Sequence, residues 1–259
     1  MIGRCTLSTL VDVTNGELRG NEQSFGSVST DTRSIQRGDL FVALHGPNFD
    51  GNRYVLNAKE QGAIAALVDT YQNVDLPQVK VADTLKALGA IAGHNRQLFN
   101  GKVIAITGSS GKTSVKEILA ELLNEQGETL ATAGNFNNHI GAPLTLLRIG
   151  EEHKYAVIEL GASAVGEIDY TASIVKPDIS ILTNAGSAHL EGFGSYENIV
   201  KAKGEIISSL GLDGVAILNA DDPAFEHWQR VANPRKVCAF SLKQGAGADI
   251  WAESISLFP

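Results

Sequence analysis

The chain has 259 residues, of which 43% are hydrophobic and 19% charged, a composition typical of a globular protein with about two domains. Its formal charge of −8 argues against nucleic-acid binding or a membrane-surface role, and no stretch has the roughly 18 uninterrupted apolar residues of a membrane helix. The two cysteines, Cys5 and Cys238, lie far apart without CxxC spacing, which indicates free thiols in a reducing cytoplasm.

The first third of the chain has the pattern of a small α/β unit. Apolar runs of strand length alternate with a helical segment that ends at Gly62, and Asp83 is a typical N-cap for a second helix that Asn100-Gly101 ends. The predicted strands are residues 41–44, 65–68 and 79–82, and the predicted helices are 53–61 and 84–99, with Leu85, Leu88, Ile91 and Ala92 of the second helix facing inward. We therefore predict an N-terminal domain over residues 1–82, a linking helix over 83–100 and a central domain over 101–259.

A short apolar strand over residues 102–107 leads into a glycine-bounded turn, which consists of Gly108, Ser109, Ser110 and Gly111 and is followed by Lys112 and Thr113. The backbone N–H groups of such a turn and the N-terminus of the next helix bind phosphate, a lysine adds positive charge, and a threonine hydroxyl binds Mg²⁺. The spacing is GxxGKT, shorter than GxxxxGK[ST], since Ile106 stands where the first glycine of the longer motif would be. The alternative is a plain Gly-Ser turn, but strand, turn and helix together favour a nucleoside triphosphate site.

The helix after this turn shows apolar residues at helical spacing, and we expect one face to be buried. That face comprises Val115, Ile118, Leu119, Leu122 and Leu123.

The rest of the central domain alternates strands and helices in the manner of a mostly parallel sheet. The predicted strands are 102–107, 155–160, 179–184 and 215–219, and the predicted helices are 114–126, 168–175 and 196–210. Ligands of parallel sheets bind beyond the carboxyl ends of the strands. We therefore expect residues 107–108, 159–161, 184–189 and 219–222 to converge on one cleft.

Two side chains at these strand ends are candidate metal ligands. Glu159 is either an exposed strand-end acid or a carboxylate paired with a cation, because burying an unpaired carboxylate is costly. His189 lies in a loop rich in glycine and serine, where a histidine is either solvated or a ligand. An Mg²⁺ ion held by a threonine hydroxyl needs further ligands, which Glu159 is placed to supply.

Several long motifs in this order resemble the Mur ligase family. They are STDTRSIQRGDLFVALHGPNFDGNRY (29–54), TGSSGKTSVKE (107–117), TAGNFNNHIGAPLTLL (132–147), VIELGAS (157–163), TNAGSAHLEGFGSYENIVKAKGEI (183–206) and ILNADDP (217–223). The resemblance implies an α/β fold, with a small N-terminal α/β domain that binds a UDP-linked substrate, followed by a mostly parallel-sheet P-loop ATPase domain. Within the family, the motifs are most like those of members that join D-alanyl-D-alanine to a UDP-N-acetylmuramoyl-tripeptide.

The implied activity is ATP-dependent amide-bond formation in the synthesis of peptidoglycan precursors, and hence a role in cell-wall biogenesis, cell shape and cell division. The tripeptide carboxylate takes the γ-phosphoryl group of ATP to form an acyl phosphate, which the amine of D-alanyl-D-alanine then attacks. ATP and two Mg²⁺ ions are the implied cofactors. The resemblance further implies a cytoplasmic monomer that neither binds nucleic acid nor inserts into a membrane.

The resemblance also assigns roles to individual residues. The residues implied to bind the nucleotide are Gly108, Ser109, Ser110, Gly111, Lys112, Thr113 and Asn219. The implied metal ligands are Thr113, Glu159, His189 and a carbamylated Lys203, and the implied catalytic residues are Lys112, Asn138, His189 and Lys203. The implied substrate contacts are Ser29, Thr30, Asp31, Arg33, Asn135, Asn137 and Asn138.

Each assignment outside the glycine turn has a structural alternative. Lys203 could be an unmodified lysine, and its neighbour Lys201 lies on a different helix face. The three asparagines could form turns, Arg33 could pair with Asp31 or Asp39, and Asn219, Asp221 and Asp222 could form an Asx turn.

Members of the family usually continue beyond the point at which this sequence stops, in a strand-like segment, WAESISLFP. We therefore expect a fragment or a truncated product that lacks the C-terminal part that closes over ATP. Whether such a chain is catalytically active is in doubt. The alternatives to the favoured function are another amino-acid ligase of the same superfamily and a non-catalytic module that binds a UDP-sugar or a nucleotide.

Overall fold

The chain forms two compact units in the computed structural model, which describes residues 1–46, 49–186, 190–245 and 247–256. The first unit comprises residues 1–100 and 143–152, and the second comprises residues 101–142 and the chain from residue 153 onward. Both cysteines are free, as expected. Within the described ranges, no helix combines the length and the apolar character needed to cross a membrane.

The first unit contains a five-stranded sheet of order β2-β9-β8-β5-β4, in which only the β2–β9 pair is antiparallel. Two short antiparallel pairs, β1 with β3 and β6 with β7, lie outside it. The elements are β1 (Cys5–Thr6), α1 (Leu7–Thr14), β2 (Glu17–Arg19), β3 (Ser24–Phe25), β4 (Val28–Ser29), β5 (Leu40–Val42), β6 (His45–Gly46), β7 (Phe49–Asp50), α2 (Val55–Gln61), β8 (Ala65–Val68), β9 (Gln78–Lys80) and α3 (Thr84–Leu98), with 3-10 turns at Thr32–Ser34 and Gly51–Tyr54.

Helix α3 lies in the first unit, although the sequence pattern suggested a separate linking helix. Asp83 caps it by accepting hydrogen bonds from the N–H groups of Leu85 and Lys86, at 2.9 and 3.0 Å. Leu88, Ile91 and Ala92 are buried as predicted, whereas Leu85 is only half-buried.

A buried amide on α3 explains why residues 143–152 also belong to the first unit. The Asn95 side chain, fully buried, accepts a hydrogen bond from the N–H of Ile2 at 2.9 Å and donates to the carbonyls of Leu146 and Ile149, at 2.8 and 3.1 Å. Buried amides need such partners, so Asn95 ties three segments of the chain together.

The second unit is built on a seven-stranded sheet of order β11-β12-β10-β13-β14-β15-β16, and every adjacent pair is parallel. The central strands are buried almost continuously, as a parallel sheet covered on both faces requires. The elements from residue 101 onward are β10 (Lys102–Thr107), α4 (Lys112–Asn124), β11 (Thr129–Ala131), α5 (Gly141–Leu146), β12 (Tyr155–Glu159), α6 (Glu167–Val175), β13 (Ile179–Leu182), α7 (Leu190–Phe193), α8 (Tyr196–Ser208), β14 (Val215–Asn219), α9 (Phe225–Ala232), β15 (Lys236–Ser241) and β16 (Ile250–Trp251), and residues 143–146 of α5 belong to the first unit.

The expected α/β fold with a mostly parallel sheet is therefore confirmed. Strands β11 and β15 and helices α5 and α9 were not among the elements predicted from the sequence. The sequence analysis also placed the helix after the glycine turn two residues too late, because α4 already begins at Lys112.

One predicted helix face is wrong in part. On α4, Ile118 and Leu122 are 60% and 59% exposed, whereas Val115, Leu119 and Leu123 pack on the sheet. Residues four apart form the stripe that contacts the sheet, and the two exposed residues lie beside that stripe.

Candidate active site

The glycine turn follows β10 at the carboxyl end of the central sheet. Gly108 has φ +152°, and a Cβ atom there would lie 1.9 Å from the Thr183 hydroxyl oxygen, so any side chain is excluded by close approach. Gly111 has φ +77° but open space around it, so its backbone conformation alone favours glycine. The turn therefore lies directly against the end of β13.

Asn184, after β13, holds the turn in place. Its backbone carbonyl accepts from the Ser109 N–H at 3.0 Å, and its side-chain oxygen accepts from the Ser110 N–H, also at 3.0 Å. These two N–H groups are thus engaged within the protein. The first N–H groups of α4 have no intrahelical acceptor and remain the donors for an anion, beside the Lys112 ammonium, which donates to the Gly108 carbonyl at 2.9 Å.

Glu159 ends β12 and is only 2% exposed, which excludes the solvated strand-end acid considered from the sequence. The Thr113 hydroxyl donates to one carboxylate oxygen at 3.0 Å, and the Asn137 amide donates to the other at 2.8 Å. Within the described part of the chain, both donors are neutral and no lysine, arginine or histidine pairs with this carboxylate. A buried carboxylate of this kind is a ready acceptor for a cation.

The backbone of Glu159 is held in place by Thr132, which in turn contacts Lys116. Its N–H donates to the Thr132 hydroxyl at 2.9 Å, and the Thr132 carbonyl accepts from the Lys116 ammonium at 2.7 Å. Lys116 is completely buried and also lies 2.8 Å from a carboxylate oxygen of Glu117. The sequence analysis did not single out Lys116 or Thr132.

A cavity of about 310 Å³ adjoins the glycine turn. Residues from four segments line it: Lys112, Asn137, Asn138, His139, Gly161, Ala162, Ser163, Glu167 and Lys203. Three of the four implied catalytic residues, Lys112, Asn138 and Lys203, therefore line the same cavity.

Lys203, on α8, is 3% exposed, whereas Lys201 is exposed, as helical geometry predicts. Burial, and secondarily the positive charge of Lys112, lower the pKa of Lys203 from 10.5 to about 8, against the opposing effects of Glu167 and Glu205. A substantial fraction of this amine is therefore neutral at mildly alkaline pH.

The three asparagines after β11 differ in what they contact. The Asn137 side chain reaches Glu159, whereas the Asn138 side-chain oxygen accepts from the N–H groups of Ile140 and Gly141, at 3.1 and 2.8 Å, at the start of α5. Asn135 is exposed. Substrate contacts of Asn135 and Asn138 stay predictions.

The Asn-Ala-Asp-Asp turn after β14 braces the loop that holds the glycine turn. The Asn219 amide donates to the Thr183 carbonyl at 2.9 Å, and the Asp222 carboxylate accepts from the Ala185 N–H at 2.7 Å. The Asp221 N–H donates to the Asn219 side-chain oxygen at 3.0 Å. Direct nucleotide contact by Asn219 stays a prediction.

The first unit has its own cavity, of about 520 Å³, lined by Thr30, Asp31, Thr32, Arg33, Phe41, Phe49 and Tyr54. Arg33 pairs with Asp31 at 2.6 Å and not with Asp39, and this guanidinium lowers the pKa of Asp31 to about 2. The rings of Phe49 and Tyr54 stack with centroids 5.2 Å apart. Ser29 is buried and donates to the Asp31 carbonyl at 2.9 Å, which places it under the loop rather than in the cavity lining.

Comparison with known proteins identifies this arrangement. Residues 106–259 match the model of the Mur ligase middle domain, and residues 24–125 match the model of the Mur ligase family catalytic domain. The chain belongs to the Mur ligase family.

Named Mur ligases show how far the similarity extends. The UDP-N-acetylmuramoyl-tripeptide–D-alanyl-D-alanine ligase of Escherichia coli K12 is 50% identical over 250 residues, which cover 96% of this chain and 55% of that protein. A MurF crystal structure from Acinetobacter baumannii superposes with a TM-score of 0.93 at 37% identity, covering 99% of this chain and 56% of that one. A MurF ligase of Thermotoga maritima in complex with ADP gives a TM-score of 0.77 at 34% identity, covering 84% of this chain and 50% of that one. The chain thus spans about half the length of these Mur ligases.

His189, the implied ligand of a second ion, lies outside the described residues. Among the residues that the structure does describe, no three or more histidine, cysteine or acidic side chains come together as a metal cluster. The donors that fit Mg²⁺ in this Mur ligase are instead the Thr113 hydroxyl and the buried Glu159 carboxylate, since Mg²⁺ prefers oxygen and completes its shell with phosphate and water.

Proposed function

We propose that this chain contributes the nucleotide and UDP-substrate sites of an ATP-dependent ligase that joins D-alanyl-D-alanine to a UDP-N-acetylmuramoyl-tripeptide. The observation that carries the proposal is the contact of the buried Glu159 carboxylate with Thr113, directly after the glycine turn and beside a cavity containing two lysines. The similarity to ligases named for this reaction selects the substrates.

The nucleotide end of the site uses the start of α4. In the proposal, the first N–H groups of α4 and the Lys112 ammonium bind the β- and γ-phosphates, because a helix N-terminus and a lysine both favour negative charge. Thr113 and Glu159 would hold Mg²⁺, which neutralises charge on the phosphate oxygens. Asn137 orients Glu159 through its hydrogen bond to the second carboxylate oxygen.

The cavity beside the turn is where the two reacting anions would meet. A tripeptide carboxylate and a γ-phosphoryl group repel each other, so cationic side chains such as Lys112 and Lys203 lower the free energy of bringing them into line. A carboxylate oxygen attacks the γ-phosphorus and the bond to the β-phosphate oxygen breaks, which releases ADP. The dipeptide amine then attacks the acyl carbon, loses a proton, and expels inorganic phosphate.

Lys203 is proposed to be carbamylated and to serve, with His189, as a ligand of a second Mg²⁺ ion. Burial favours the neutral amine, which is the form that reacts with CO₂. The resulting carbamate would carry a negative charge near Lys112 and remove the repulsion between the two ammonium groups.

The cavity of the first unit is the proposed site of the UDP group. Stacked Phe49 and Tyr54 offer an aromatic surface to a base, and Thr30, Asp31 and Arg33 offer polar groups at the same cavity. The proposed substrates occur in the cytoplasm, so the proposal includes a cytoplasmic location, and we retain the expectation of a monomer.

Two measurements test the proposal. The first is calorimetric titration of the chain with ATP, with excess MgCl₂ or with EDTA, and separately with the UDP-linked tripeptide. We expect saturable binding of both ligands and tighter ATP binding with Mg²⁺. Absence of Mg²⁺-dependent ATP binding by the folded chain would contradict the nucleotide site.

The second measurement is phosphate release, carried out on the chain and on a form extended to the length of its relatives. In the extended form, release must require both the UDP-tripeptide and D-alanyl-D-alanine. Release with a single amino acid and no response to the dipeptide would favour another ligase of the superfamily. Saturable binding of both ligands without turnover in the extended form would favour a binding module.

A further inference from the structure

Lys116 is a buried charge that the proposed reaction does not use. Its side chain is completely inaccessible, although it lies on α4 between residues that pack on the sheet. Transfer of an ammonium group from water costs several kcal/mol unless close partners compensate. An apolar side chain of similar length would fill the same space without that cost, so packing alone does not account for the charge.

The partners of Lys116 connect it to the candidate metal site in two steps. Its ammonium donates to the Thr132 carbonyl at 2.7 Å, and the hydroxyl of the same threonine accepts the Glu159 N–H at 2.9 Å. Thr132 is itself 2% exposed. Thr132 therefore links the buried Lys116 ammonium to the backbone of Glu159.

These contacts close a ring. The Glu159 carboxylate returns to α4 through the Thr113 hydroxyl at 3.0 Å, and Thr113 and Lys116 lie three residues apart, on the same side of the helix. Helix α4 is thus connected to Glu159 directly through Thr113 and indirectly through Lys116 and Thr132. The glycine turn is held by other residues, chiefly Asn184, and is not part of the ring.

We propose that Lys116 is a positioning residue for the Mg²⁺-nucleotide site: it fixes Thr132, and through Thr132 it sets the position of Glu159 relative to Thr113. The inference rests on the proposed function, in which Thr113 and Glu159 hold Mg²⁺. Because the glycine turn and the Lys112 ammonium lie outside the ring, loss of Lys116 weakens the Mg²⁺-dependent part of nucleotide affinity and spares the Mg²⁺-independent part.

The test compares four variants of the full chain. Lys116→Met removes the ammonium, and Thr132→Val removes the hydroxyl at nearly constant volume. Thr132→Ser keeps the hydroxyl, and Glu117→Gln removes only the exposed carboxylate beside Lys116. For each variant, ATP affinity is measured by calorimetry with MgCl₂ and with EDTA, and unfolding is followed by circular dichroism.

Lys116→Met and Thr132→Val should each weaken ATP binding in MgCl₂ about tenfold, the low end for loss of a group that orients a metal ligand, and leave binding in EDTA unchanged. Thr132→Ser and Glu117→Gln should bind like the wild type. Equal weakening in MgCl₂ and EDTA, or wild-type binding by both variants, overturns the inference. Should Lys116→Met not fold, Thr132→Val decides by the same criterion.

The wild-type titration separates this inference from the function on which it rests. If Mg²⁺ does not strengthen ATP binding by the wild-type chain, the proposed metal site is contradicted, and the inference about Lys116 with it. If Mg²⁺ strengthens ATP binding equally in the wild type and in Thr132→Val, only the proposed role of Lys116 and Thr132 is contradicted.

Discussion

The two units of this Mur ligase chain differ in how the charges at their candidate sites are compensated. In the second unit, Glu159 and Lys203 are 2% and 3% exposed, and within the described residues neither forms an ion pair. In the first unit, the Asp31 and Arg33 side chains are 42% and 88% exposed and pair with each other. The same kinds of charged group are therefore buried without an ion-pair partner in the second unit and paired in solvent in the first.

The difference indicates what each cavity requires of its ligand. Buried charges without an ion-pair partner are unfavourable until an ion or a charged ligand arrives, so binding in the second unit should depend steeply on Mg²⁺ and on protonation. An exposed ion pair contributes little to stability, so the first unit can use it for recognition without loss of fold. Substitutions at Glu159, Lys203 and Arg33 test this contrast, and two glycine substitutions test the turn beside the buried site.

The largest effect is expected at Glu159. Glu159→Gln keeps the shape and removes the charge, so ATP affinity in MgCl₂ should fall about 100-fold, as for loss of a metal-binding group, while affinity for the UDP-linked tripeptide is unchanged. Calorimetric titration measures both, and Glu117→Gln on α4 is the control. Equal loss of both affinities in a folded variant would contradict separate sites.

The glycine turn should be the next most sensitive feature. Gly108→Ala forces a methyl group against the Thr183 hydroxyl and should lower the free energy of unfolding by about 3 kcal/mol, the upper range for an overpacked site. Gly111→Ala meets no atom within 4 Å, so it should cost only the conformational penalty, about 1 kcal/mol. Urea unfolding measures the difference. Equal costs would show that Thr183 moves aside.

Lys203 should make stability depend on pH in CO₂-free buffer. Its folded pKa of about 8 lies below the ordinary value of 10.5, so the unfolded chain binds more protons between these values, and stability should rise with pH across that window. Below pH 8 the burial penalty is fully present, and Lys203→Met should therefore stabilise the chain, on the order of 2 kcal/mol after allowance for residual hydration. The gain should shrink as pH rises from 8 to 10.5.

Denaturation at several pH values measures this effect, with the exposed Lys201→Met as control. A constant difference between Lys203→Met and the wild type across the window would show that the ammonium is not penalised. Addition of ¹³C-labelled bicarbonate, with detection of a carbamate signal that Lys203→Met lacks, tests the proposed modification.

The smallest effect on stability is expected in the first unit. Arg33→Met should leave the urea midpoint unchanged, because the Arg33–Asp31 pair is exposed, yet weaken binding of the UDP-linked tripeptide about tenfold through loss of a charged hydrogen-bond donor. Arg53→Met changes an equally exposed arginine that does not line the cavity. Similar affinities of the two variants would place the UDP group elsewhere.

Much of the second unit could be predicted because its signals are local. The turn sequence indicated a phosphate site without knowledge of the fold, and continuous apolar runs gave β10 and β14 with their observed bounds. Ligands bind beyond the carboxyl ends of parallel strands, and this rule predicted that the glycine turn, Glu159 and the segment after β13 lie close together. Contacts among the described residues up to Gly186 confirm this prediction.

The contacts that fix the geometry were not predictable in the same way. Asn95 and Lys116 are polar residues in helical segments whose sequence neighbours do not indicate burial, and their partners are backbone carbonyls distant in the chain. The contacts of Asn184 also engage two donors that the turn sequence alone would assign to phosphate, since the Ser109 N–H donates to its backbone carbonyl and the Ser110 N–H to its side-chain oxygen. Partners of this kind depend on which segments the fold brings together.

The sequence by itself determined the chemistry: a glycine-bounded turn, a lysine and a threonine at the start of a helix, and an acid at the end of a buried strand. Tertiary structure decided the state of each charge. It buried Glu159 and Lys203 without an ion-pair partner among the described residues, left Arg33 paired in solvent, and anchored Lys116 behind the candidate metal site. The physical reason is that residue type sets what a group can bind, whereas burial and neighbours set the free energy of its charged form.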